Sequence, residues 1–294
     1  MPTRDAVAID WLDDGELPTL TAVVDDVAMR LVVDTGANAH IVDETVAFWA
    51  HLPDITPTGS PSVSRDGTWT ETEPFFRDAG ATLTHYRVRG PAPLRIGVAA
   101  LETPTPVATH DLSTWRAHGI AGLFSPQRAV PLGSALEVDL ASRTISLIAP
   151  SDADAALAPR EGWLALSPVC PTNDGVALFA VHAEIAGQPV LLVVDTGATG
   201  TFVDGRSDVA RALAPPATEP GTRWALGGPS DVRVARDVEV RVGEAHVRIA
   251  VDVVEWTGTC DAGHTDGALG ADVLRRCQLI LGRDRGALRC PEGP

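Results

Sequence analysis

"LVVDTGANAHIVD" (residues 31–43) and "LVVDTGATGTFVD" (residues 192–204) agree at nine of thirteen positions. Each opens with three aliphatic residues, the composition of a strand buried on both faces, and runs straight into Asp-Thr-Gly-Ala. In a chain of 294 residues the second copy falls near the same place in the second half as the first does in the first. A repeat at about half the chain length argues for two similar units, each long enough to bury its own core.

The likeness extends outward from the motif. "TLTAVVDDVAMRLVVDTGA" reads as a strand, a turn at Asp25-Asp26 and a second strand, and "FAVHAEIAGQPVLLVVDTGA" reads the same way with its turn at Gly187-Gln188. Further on, Arg95-Ile96-Gly97 matches Arg241-Val242-Gly243, "HGIAG" (118–122) matches "DGALG" (266–270), and "VDLASRTISL" matches "LGRDRGALRC". The first half carries extra residues within 46–80, where "PDITPTGSPSVSRDG" reads as a loop insertion. "APSDADAALAPREG" (149–162) has no periodicity and reads as a linker. The division is therefore 1–149, a linker at 150–162, and 163–294. Many short strands punctuated by 23 prolines and 27 glycines suit an all-β fold, mainly β with a few short helices. "ADVLRRCQL" after Gly270 is the clearest helix signal.

Composition excludes several functions. Net charge is −16 and every basic residue is Arg, so neither a nucleic-acid partner nor an anionic membrane surface is expected. No apolar run approaches the length of about 20 residues that a membrane span needs. The first residues lack the basic start and apolar core of an export signal, which makes the cytoplasm the default compartment. The even count of Cys170, Cys260, Cys277 and Cys290 permits two disulfides, and the missing export signal tilts the reading toward free thiols. "CDAGH" offers no compact ligand pair, and the eight histidines show no i, i+4 pair and read as surface or core-edge residues. No metal and no cofactor are expected. Serine-hydrolase, P-loop and dinucleotide signatures are missing from the sequence.

An Asp at the end of a buried strand is costly unless its charge is met, and one such residue is ordinarily a turn former. Two identical ones on duplicated units can meet across a pseudo-twofold axis. Two adjacent carboxyls cannot both ionise cheaply and so share a proton. One can then act as base on a water while the other protonates a carbonyl oxygen.

With these motifs the chain resembles the aspartic proteases. The two Asp-Thr-Gly-Ala segments, each followed by a hydrophobic-Gly landmark ("IAG" at 120–122, "ALG" at 268–270), resemble the two-lobed, pepsin-like single chain. Ala after both triplets, "LGADVLRRCQLIL", and the flap-like "RWALGGPSDVRVARDVEV" are similar to retropepsins. The resemblance implies two duplicated lobes with the active site between them and Asp34 and Asp195 as the catalytic pair. Thr35 and Thr196 would interlock beneath them, Gly36 and Gly197 would donate backbone N–H groups, and Ala37 and Ala198 would complete the loops. Leu226, Gly227 and Gly228 would form a flap tip, with Gly80 near the corresponding place in the first half. It further implies an endopeptidase acting on a peptide or protein substrate, monomeric because both lobes lie in one chain. The alternative is a catalytically silent peptide-binding module, although decay would be expected to remove an Asp or its Gly, and both triplets are intact. The alanine side chain after each triplet has no hydroxyl to donate to a carboxylate, so the expected optimum is weakly acidic, roughly pH 4.5–6.5.

Overall fold

The two apolar runs form the strands Val27–Val33 and Gln188–Val194. In the computed structural model, which describes residues 6–12, 17–24, 26–54, 75–77, 83–85, 87–96, 99–172, 175–213, 218–225, 228–256 and 265–292, each is the second arm of a hairpin. The first arms are Leu17–Val24 and Leu178–Ile185. In the second half the turn is Ala186-Gly187, one residue earlier than the sequence reading, because Ile185 pairs with Gln188. Both turn residues have positive φ (50° and 75°), the mirror-image turn whose twist matches that of the flanking strands.

A third strand lies between the strand entering each Asp-Thr-Gly loop and the strand leaving it. Gly122–Phe124 runs parallel to Val27–Val33 and antiparallel to Ile41–Asp43. Gly267–Leu269 relates in the same way to Gln188–Val194 and Phe202–Asp204. A Cβ at Gly122 would stand 2.0 Å from the Ile41 carbonyl oxygen, and one at Gly267 would stand 2.0 Å from that of Phe202. This close approach fixes the equivalence of the halves and corrects the landmark matching. Gly122 is in register with Leu31 and Gly267 with Leu192, so Gly122 corresponds to Gly267 and Ser125 to Gly270. Aligning "IAG" with "ALG" is three residues out of register, because local side-chain similarity competed with the backbone contact that selects glycine.

Asp10–Leu12, Leu17–Val24, Val27–Val33, Ile41–Asp43, Arg87–Ile96, Ala99–His110 and Gly122–Phe124 make a seven-stranded sheet, and Phe75–Arg77 pairs separately with Leu83–His85. The second-half strands belong to a thirteen-stranded sheet that also takes in Val7–Ala8, Ala135–Asp139 and Thr144–Ile148 from the first half. The join is antiparallel, with Leu136 opposite Leu281 and Val138 opposite Leu279. One hydrophobic cluster draws on both halves, with Leu31, Val33 and Phe124 in the same core as Leu192, Val194 and Leu269. The fold is all-β, with six short helices among the described residues.

Two readings of the sequence change here. The stretch 150–162 begins with a helix, Pro150–Leu157: proline suits the first helical turn and alanine the rest, and Ala153, Ala156 and Leu157 pack on Ala135, Ile148 and Ile280. The described cysteines are not free thiols, and Cys260 lies outside the described residues. Cys277 and Cys290 form a disulfide with Cα atoms 4.4 Å apart, and Cys170 is also disulfide-bonded. Gln278 pairs with Arg289 in the hairpin Gln278–Leu281/Gly286–Arg289, so Cys277 and Cys290 are the next opposed pair, at the spacing expected for directly facing residues. Most of the first-half insertion lies outside the described residues. No helix among the described residues is long and apolar enough to cross a membrane.

Candidate active site

Both Asp-Thr-Gly loops begin where a buried strand ends. Asp34 N–H donates to the Phe124 carbonyl (2.8 Å) and Asp195 N–H to that of Leu269 (3.0 Å), so each Asp is tied to the central strand of its half. The loops then meet. Thr35 N–H donates to Thr196 Oγ1 and Thr196 N–H to Thr35 Oγ1, both at 3.1 Å. Each hydroxyl donates onward across the junction, Thr35 to the Val194 carbonyl (2.7 Å) and Thr196 to that of Val33. These buried, reciprocal bonds leave neither hydroxyl nor either N–H of the pair unmet, the condition for keeping hydroxyls in a core.

The carboxyls sit above this lock. Gly36 N–H donates to Asp34 Oδ1 (2.8 Å), and Gly197 and Ala198 N–H donate to Asp195 Oδ1 (2.9 and 3.1 Å). A Cβ on Gly36 would fall 2.5 Å from Asp195 Cγ, and one on Gly197 equally close to Asp34 Cγ. Each glycine is therefore needed by the opposite carboxyl as much as by its own loop. The two carboxyls are hydrogen-bonded to each other. Burial, and then the charge of Asp195, push Asp34 well above the usual carboxylate range. Burial also raises Asp195, while the cation Arg223 opposes it.

The surroundings of the two loops differ. On the first-half side, the helix Pro126–Ala129 presents Gln127, whose Nε2 donates to the carbonyls of Thr35 (2.9 Å) and Ala37 (2.8 Å). His40 is fully buried, stacks on Phe124 at 5.3 Å between ring centroids, and accepts from Ser125 N–H at Nδ1 (3.2 Å). Burial, with Arg128 adding to it, holds its imidazole down at about 3, so it is neutral. A surface or core-edge assignment for His40 is therefore incorrect. The equivalent positions in the second half are Thr201 and Asp272: Thr201 Oγ1 accepts from Gly270 N–H (3.1 Å) and donates to Asp272 (2.8 Å).

The second half also has a buried cation that sequence reasoning missed. Arg223 lies on the strand Thr218–Ala225, with its side chain 6% exposed. Its guanidinium donates to the Gly200 carbonyl (2.7 Å), pairs with Asp252 (3.2 Å) and stands over the Phe202 ring (4.4 Å). Nothing in the local pattern marks it, because its partners come from a loop and a strand distant in sequence. The strand continues into a hairpin with Gly228–Val242, closing between Ala225 and Gly228. Gly228 is thus the first residue of the returning strand, whereas Leu226, Gly227 and Gly80 lie outside the described residues. No group of three or more His, Cys, Asp or Glu that could hold a metal ion occurs among the described residues.

Two buried carboxyls sharing a hydrogen bond, each cradled by backbone N–H groups at the end of a strand, form an acid–base pair suited to activating water. Residues 181–273 match the family model described as aspartyl protease, which supports an aspartyl-protease family for the chain. The match covers Asp195, the Arg223 hairpin and all but the last residue of the helix Ala271–Leu274. No curated protein matches the chain.

Proposed function

We propose that the chain is an aspartic endopeptidase of two duplicated, retropepsin-like lobes, hydrolysing peptide bonds with Asp34 and Asp195. The observation that carries this reading is the hydrogen bond between the two carboxyls across the Thr35/Thr196 lock. With one proton on the pair, the ionised carboxylate takes a proton from a water as its oxygen attacks the peptide carbonyl. The protonated partner gives its proton to the carbonyl oxygen, forming a neutral tetrahedral diol. The diol collapses as the carboxyl that took the water proton gives it to the amide nitrogen, a diol hydroxyl passes its proton to the other carboxylate, and the C–N bond breaks to leave an acid and an amine, with one proton again on the pair. The hairpin ending at Ala225 and Gly228 serves as a cover over an extended peptide, which binds between the lobes by strand pairing.

The test is incubation of the purified chain, and of Asp34→Asn and Asp195→Asn variants, with a proteome-derived peptide library across pH, reading cut sites by mass spectrometry. Cleavage by the wild type and none by either variant supports the reading. Binding of peptides without cleavage would favour a silent peptide-binding module instead.

A further inference from the structure

The duplication brings two chemically identical Asp-Thr-Gly loops together, yet the reaction above needs two unlike carboxyls, one ionised and one protonated. The side chains backing the Asp34 loop are neutral: His40 is uncharged and Gln127 is an amide, and the cation next to them, Arg128, acts on His40 and is not among the influences on Asp34. Around Asp195 they are charged. Arg223 is fixed by Gly200 and Asp252, and Asp272 is held by Thr201 N–H (3.1 Å) and Oγ1. Asp252 and Asp272 approach the same point, both about 4 Å from where a Gly200 Cβ would stand. Phe202 closes the other side of the guanidinium, so the cation is largely shielded from water, where a charge acts over a longer range.

Resting on the aspartic-protease reading, we propose that Arg223 is a positioning residue that makes the carboxyls unlike, holding the negative charge on Asp195 and leaving the shared proton on Asp34. Asp195 is then the base that takes the water proton, and Asp34 the acid that protonates the carbonyl oxygen. Asp252 tunes the arrangement by partly cancelling the cation. The opposing influences on the pair agree with this division: Arg223 lowers Asp195, and the hydrogen bond between the carboxyls raises Asp34 while lowering Asp195. The cation belongs to the hairpin that closes between Ala225 and Gly228 and is bonded to the Gly200 carbonyl of the Asp195 loop, so the arrangement of that hairpin and the proton's location are linked.

The groups facing Asp195 are Asp34, Arg223 and, behind the cation, Asp252 and Asp272. Arg223→Met and Asp252→Asn break the same ion pair but change the charge near Asp195 in opposite senses. Both variants, with Arg223→Lys, are to be compared with the wild type by carbon-13 NMR titration of the Asp carboxyls without substrate. The acid limb of the cleavage profile gives a second readout. Arg223→Met should move the lower titration of the pair up by about one pH unit, Asp252→Asn should move it down, and Arg223→Lys should stay close to the wild type. Shifts in the same direction for Arg223→Met and Asp252→Asn would make the ion pair a scaffold only, and no shift in either would overturn the assignment. If Arg223→Met does not fold, the sign of the Asp252→Asn shift decides alone. A wild type that cleaves nothing would remove the protease reading while the carboxyl titration still judged Arg223.

Discussion

The two Asp-Thr-Gly loops share a backbone and differ in what stands behind it. In each, a buried strand, an interlocked Thr and a glycine against the opposite carboxyl recur with matching hydrogen bonds. Behind the first loop are a neutral His40 and Gln127; behind the second are Arg223, Asp252 and Asp272. The backbone repeat builds a site with near-twofold symmetry, and the supporting side chains break that symmetry electrostatically. The shared backbone supplies the position of the carboxyls, and the unlike side chains behind it supply the proposed difference between them.

The comparison breaks outright if one loop is dispensable. Replacing either Asp34 or Asp195 by Asn should reduce cleavage at least about a thousandfold with the fold retained, as judged by circular dichroism and peptide turnover. Near-normal turnover in one variant would mean that only one loop is functional.

Next in size is the acid sensitivity that His40 gives to the first half alone. Its folded pKa of about 3 lies below the unfolded value near 6.5, so the native state binds fewer protons between those limits. The sign follows: this contribution to stability is fully present above about pH 6.5 and falls by about 1.4 kcal/mol per pH unit toward pH 3. Denaturant unfolding at a series of pH values should show that slope, and His40→Thr, which installs the residue of the second half, should flatten it. An unchanged slope in the variant would assign the acid sensitivity elsewhere.

The Cys277–Cys290 disulfide sharpens the comparison between the two closing hairpins, since no disulfide is seen in its counterpart Ala135–Asp139/Thr144–Ile148. Replacing both cysteines by Ala should cost about 3 kcal/mol, measured by chemical denaturation under non-reducing conditions. The smallest effect concerns Ala37 and Ala198. Serine at either position adds a donor that favours an ionised carboxylate and lowers its pKa, so the acid limb should move to lower pH by up to about one unit.

How much of this was legible in the sequence follows from which interactions are local. The strands entering the loops were readable because Leu31-Val32-Val33 and Leu192-Val193-Val194 are apolar without alternation, as strands buried on both faces must be. The "ALG" landmark was misplaced because Gly122 and Gly267 are selected by the carbonyls of Ile41 and Phe202, contacts invisible without the register. His40 was visible as one of four differences between the repeats, but burial alone makes it neutral, and burial is a tertiary property. Arg223 gave no signal, since its carboxylate lies 29 residues away and its carbonyl partner 23. The cysteine pair depended on Gln278 facing Arg289, which no spacing rule specifies.

The antiparallel join between Val138 and Leu279 ties strands far apart along the chain, and the Thr35/Thr196 lock closes another long loop. Loop closure of that span is slow compared with hairpin formation, so the two halves can build their own sheets before they meet. During that interval Thr35 and Thr196 find water in place of each other, and neither carboxyl has its partner. The acid–base pair therefore comes into existence only at the docking step, and the appearance of activity during refolding should lag behind the recovery of strand content.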